Sequence, residues 1–127
     1  MTLTPAEDSL TLPPDAAVCD GYRDVSTDGT VRSNELNEIS GVAASRNHPG
    51  VLWVHNDSGG EGAVYALSVV GELLATWTLN GAGAFDWEDL ATGPGPNPEL
   101  SYLYIGDIGD NLGFRPTITV YRFAEPD

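Results

Sequence analysis

Apolar residues along the chain fall in short runs separated by Gly, Pro, Asn and Asp, and no long stretch repeats them at helical spacing. "ISGVAAS" (39–45), "VLWVH" (51–55) and "AVYALSV" (63–69) are bounded by turn residues and read as strands. "ELLATWTLN" (72–80) alternates, with Leu73, Ala75, Trp77 and Leu79 on one face and Leu74, Thr76 and Thr78 on the other. Four strands joined by short links predict an antiparallel meander.

The pattern then restarts. "VAAS" at 42 is echoed by "LATG" at 90, "LWVHND" at 52 by "LYIGDI" at 103, and "VYALS" at 64 by "VYRFA" at 120. The offset grows because "GPGPNPEL" (93–100) and "NLGFRP" (111–116) lengthen two loops of the second unit. A four-stranded meander recurring at about 50 residues is the signature of β-propeller blades. The expected fold is all-β, with one complete blade unit over residues 36–80 and an incomplete one over 85–125. Rings of blades need about four or more to close, so a portion of a larger propeller is expected; a small β-sandwich or barrel is the alternative. Pro5, Pro13 and Pro14 in a polar setting predict a flexible tail over 1–17 leading into a domain over 18–127.

Composition narrows the function classes. Nineteen acids face five arginines and no lysine, for a net charge of −14. Such a surface repels phosphate backbones and favours cations, which argues against nucleic acid as a partner. The apolar runs are far shorter than the ~20 residues of a membrane-spanning helix, so no membrane insertion is expected. Cys19 is the single cysteine, which leaves no intrachain disulfide and no multi-cysteine zinc site; any partner for it lies outside this chain. No basic start followed by an apolar run marks a signal peptide.

The acids gain meaning from the meander. In an antiparallel hairpin the start of the first strand lies beside the end of the second. "FDWEDLA" brings Asp86, Glu88 and Asp89 to such a start, and "GDIGDN" brings Asp107, Asp110 and Asn111 to the matching end. The first unit repeats this with Glu35, Asn37, Glu38 and Ser40 against His55, Asn56, Asp57 and Ser58. Both clusters should therefore share one rim. Converging carboxylates repel unless a cation compensates, and Ca2+ takes 6–8 oxygen ligands of this kind. The expected metal set is Asp86, Glu88, Asp89, Asp107, Asp110 and Asn111, supported by Asn56 and Asp57. Gly106 and Gly109 fit it as positions where the backbone can bend and present carbonyls. The competing reading is ordinary turn chemistry, in which Asp and Asn bond to nearby backbone N–H groups.

His55 has three readings: a metal ligand, a general base, or a rim histidine held by its neighbours. Ser58 does not complete a nucleophile elbow. Trp53, Trp77, Trp87, Tyr65, Tyr104 and Tyr121 are expected to pack between blades, with Trp87 also a possible stacking surface for a sugar or other ring.

At "LNEISGVAAS", "LWVHNDSG", "DWEDLA", "LYIGDIGDN" and "VYRFAEP" the chain resembles a family of exported bacterial β-propeller proteins. The resemblance spans about residues 35–125. It implies a propeller fold and an extracellular or cell-envelope location, and it brings no established activity. More distantly the pattern is similar to calcium-dependent, phytase-like and esterase-like propellers, whose acidic rims hold calcium. The leading expectation is a calcium-stabilised binding or scaffold module whose partners are a divalent cation and a small-molecule or carbohydrate ligand. Self-association through open sheet edges is a further expectation. The alternative is a metal-dependent hydrolase of phosphate or carboxylic esters, with His55 or Glu88 moving the proton. A phosphate-ester site wants basic groups around its phosphate, and a chain without lysine is poor in them.

Overall fold

The computed structural model describes residues 26–59 and 61–127, and every regular element among them is a strand. The expectations for the tail over 1–17, the domain start at 18 and Cys19 lie outside the described residues. The strands are β1 (Ile39–Ala44), β2 (Val51–Asn56), β3 (Glu61–Ser68), β4 (Leu73–Gly83), β5 (Trp87–Pro94), β6 (Ser101–Asp107) and β7 (Thr119–Ala124). They form two antiparallel meanders, a four-stranded sheet ordered β1-β2-β3-β4 and a three-stranded sheet ordered β5-β6-β7.

The repeat read from the sequence is present at the level of register. β1 pairs Ile39 with Asn56 and then Gly41 with His55, an irregularity that leaves Ser40 as the extra residue. β5 pairs Trp87 with Asp107 and then Asp89 with Gly106, leaving Glu88 in the same place. The next pairing also matches: Leu52 faces Leu67 in the first sheet and Leu103 faces Phe123 in the second. One backbone bond recurs too, from Asp57 N to Glu38 O at 2.8 Å and from Ile108 N to Asp86 O at 3.2 Å.

The two sheets pack face to face, with β1 against β5. Trp53, Val64 and Ala66 of the first sheet meet Trp87, Leu90, Leu103 and Ile105 of the second in a buried cluster. The alternation of β4 turns Ala75, Trp77 and Leu79 toward this cluster and leaves Thr76 and Thr78 outside. Trp77 meets the edge of Trp53 at 5.2 Å, and Tyr121 lies 5.9 Å from Trp87. The expected inter-blade aromatics thus divide. Tyr65 instead packs on the opposite face of the first sheet, near Leu36, Val54 and Leu67. Tyr104 spends its hydroxyl on Pro94 O at 2.5 Å.

A buried carboxylate ties the sheets at the end away from the acidic rim. Glu125 Oε1 accepts from Trp53 Nε1 at 2.8 Å, Ser45 Oγ at 2.5 Å and Arg46 N at 3.1 Å. Burial alone would raise its pKa. The donors around it, from Ser101, Ser45 and Trp53 with the Asn47 backbone, outweigh burial and hold it below the usual carboxylate value. Among the described residues Ser101 Oγ and Glu125 Oε2 are each buried without a hydrogen bond of ordinary geometry.

Candidate metal centre

The rim is built by a bulge. A bulge places two residues of one strand opposite one of its partner and re-aims the extra side chain. At Trp87–Asp89 that residue is Glu88, whose carboxylate meets those of Asp86 and Asp57, with one ligand oxygen of each within 4.8 Å of the others. Asp57 follows β2 and Asp86 precedes β5, so the site lies across the junction of the two sheets. Trp87 N donates to Asp57 O at 2.7 Å and Ser40 Oγ donates to Glu88 O at 3.2 Å, which clamps that junction.

Asp86 is the most enclosed of the three, with 9% of its surface exposed. Its pKa is raised, first by burial and next by the Asp57 carboxylate beside it, with Asp107 adding to the rise and Arg115 opposing it. Among the described residues Asp57 Oδ1 is buried without a hydrogen-bond partner. An oxygen-only donor set with one orphaned oxygen fits a hard divalent cation.

Gly109 lies against this cluster. Its N–H donates to Asp86 O at 3.1 Å, and a Cβ there would run into the carboxylates of Asp86 and Glu88. Glycine is therefore required for space; neither Gly106 nor Gly109 has a positive φ. The Gly109 carbonyl is not offered to an ion either, because Arg115 Nη1 donates to it at 2.9 Å.

The remaining expected ligands do other work. Asp107 is buried, and its Oδ1 accepts from Asp86 N at 3.1 Å and from Arg115 Nη1 at 2.8 Å. It braces the site as half of an ion pair. Asp110 accepts from the backbone N–H groups of Phe114 and Arg115, at 3.0 and 3.1 Å, closing the loop after β6. Asp89 Oδ1 accepts from Leu90 N at 2.8 Å. Asn56 donates to Glu35 O at 2.7 Å and accepts from Glu38 N at 3.4 Å. Asn111 is exposed at the edge of a cleft. Turn chemistry therefore accounts for Asp110, a bond to the next backbone N–H for Asp89 and ties to the 35–38 segment for Asn56, while Asp57, assigned a supporting part, stands among the three that converge.

His55 and Trp87 also differ from expectation. His55 is fully buried between the sheets, its Nδ1 2.9 Å from Asn56 O and its ring edge-on to Trp87 at 5.6 Å. A Cβ at Gly41 would strike its Nε2, which has no hydrogen-bond partner among the described residues. A ring so enclosed is a packing element, with no path to a substrate proton. Trp87 is equally buried and offers no face for stacking. The sequence reading missed Glu125, the buried tie at the other end of the sheets, although its strand parity with Tyr121 and Phe123 marked it as inward-facing. Arg115, noticed for following an acidic cluster closely, proves to be the counter-charge of Asp107.

A cleft of about 250 Å³ opens beside the triad, lined by Asp57, Ser58, Phe85, Asp86, Asp110, Asn111, Leu112 and Phe114. No family model, curated protein or solved structure matches this chain.

Proposed function

We propose that this chain is a calcium-stabilised binding module of β-propeller type, with the acidic junction of its two sheets as the cation site. The observation that carries the reading is the convergence of Asp57, Asp86 and Glu88 from two different sheets, with a buried oxygen of Asp57 left unpaired. A divalent ion there would bridge the sheets and relieve the repulsion among three carboxylates. The propeller reading is supported by the matching registers and by the first strands of both meanders lying side by side. Export to the extracellular space or cell envelope follows from the motif resemblance alone. The hydrolase alternative has less support, since His55 is enclosed and Arg115 is committed to Asp107.

A thermal melt in EDTA, Ca2+ and Mg2+ tests the site. A resident ion should stabilise by mass action, about 2.7 kcal/mol at a hundred times its dissociation constant. The Asp57→Asn, Glu88→Gln double variant should abolish the response while leaving the Asp107–Arg115 pair in place. A wild-type melting temperature that is the same in all three conditions refutes the reading.

A further inference from the structure

Resting on the cation site above, we propose that its ligand is a neutral carbohydrate, bound through vicinal hydroxyls that complete the coordination of the ion while the sugar ring lies on the apolar wall of the cleft. Three carboxylates supply few of the 6–8 oxygens that Ca2+ takes, so coordination positions remain for ligand oxygens or water. Asp86 points to such a guest: it is more than nine-tenths buried and lines the cleft. Its carboxylate lies against that of Asp57, whose buried Oδ1 has no hydrogen-bond partner among the described residues.

Charge selects a neutral ligand. Three carboxylates and a divalent ion leave the site net negative, and the chain as a whole carries −14. The cation closest at hand cannot receive an anion. Arg115 is held by Asp107 Oδ1 at 2.8 Å, Gly109 O at 2.9 Å and Thr117 O at 3.2 Å, with its guanidinium stacked 4.8 Å over Phe85. Arg46 lies in the turn at the far end of the β1–β2 hairpin, beside Glu125, and Arg122 sits over Tyr102. A phosphate or carboxylate ligand would meet this negative charge while Arg115, Arg46 and Arg122 are held by other partners.

The apolar wall supplies the other half of recognition. Phe85, Leu112 and Phe114 line the same cleft and are 58%, 80% and 63% exposed. The C–H face of a pyranose would bury them, and a space of about 250 Å³ lies below the range for drug-sized ligands. It suits one ring of a longer glycan. The sugar-stacking part imagined for Trp87 thus passes to Phe85 and Phe114.

Amide NMR spectra of the whole chain, titrated with methyl α-mannopyranoside and methyl β-galactopyranoside in Ca2+ and in EDTA, test the proposal. Calorimetry with Ca2+ alone is run on the same samples. The expected result is a calcium-dependent shift of the Gly109 to Phe114 amides with at least one glycoside, lost in EDTA and weakened several-fold in Phe114→Ala. Leu112→Ser serves as a second variant, since its exposed side chain is not needed for folding. If Ca2+ binds but neither glycoside shifts these amides, the carbohydrate inference falls and the metal site stands. If calorimetry detects no Ca2+, the cation reading itself falls. Binding of a glycoside in EDTA, or calcium-dependent binding of inorganic phosphate at these amides, overturns the inference.

Discussion

Glu125 is the residue whose removal should cost most for its size. In Glu125→Ala, Trp53 Nε1 loses its acceptor inside the inter-sheet core, where no water replaces it, and an unmet buried donor costs about 1–3 kcal/mol. Ser45 Oγ and Arg46 N lie nearer the surface and can be resolvated, so each forfeits about 0.5–1.5 kcal/mol. The total is about 4 kcal/mol, a large part of the 5–15 kcal/mol typical of a domain. With a urea m-value near 1.5 kcal/mol/M, the unfolding midpoint should fall by about 2.7 M. Glu125→Gln keeps one acceptor oxygen for Trp53 but loses the charge and turns the other oxygen into a donor, so its deficit should be smaller, about 1 kcal/mol.

The pH dependence separates charge from shape. The folded pKa of Glu125 is below its ordinary value of 4.5, so the unfolded chain binds more protons in that window. The stabilisation is complete well above 4.5 and is lost as pH falls through the folded value. The gap between wild type and Glu125→Gln should therefore narrow in acid. A Glu125→Ala midpoint within experimental error of wild type, or a gap to Glu125→Gln that does not change with pH, would refute the reasoning.

Asp86 should behave in the opposite sense: its pKa is raised from 3.8, so in EDTA its contribution falls as pH rises from that value through the folded one. Asp86→Asn should flatten that slope in urea titrations, and Ca2+ binding to wild type should weaken as pH falls through the same window. Gly109→Ala should cost about 1–3 kcal/mol through overpacking and lower Ca2+ affinity, because its methyl group displaces Asp86 and Glu88; unchanged calorimetry would contradict this. Leu103→Ala, at a fully buried position between the sheets, should cost about 2–5 kcal/mol and leave Ca2+ affinity unaltered. Arg115→Gln should loosen the loop after β6, read as faster amide exchange at Gly109 to Phe114, since it breaks the bonds to Asp107 and Gly109 O.

The strands and their pairing were legible because a half-buried strand writes its burial into a period of two. The alternation of 72–80 and the echo of residues 42–68 in 90–124 were enough to order both meanders and to place the acids at one end of their hairpins. Folding alone decided which acids meet. A single-residue bulge turns Glu88 onto Asp86, while the turn after β6 occupies Asp110 and Arg115 claims Asp107. These outcomes depend on side-chain direction and on donors contributed by other parts of the chain, neither of which a strand period encodes. Asp57 joins the site only because two sheets stack, and His55 and Trp87 are withdrawn from it for the same reason. The sequence by itself determined two meanders and an acidic end; the packing of one sheet on the other decided which three carboxylates form a site.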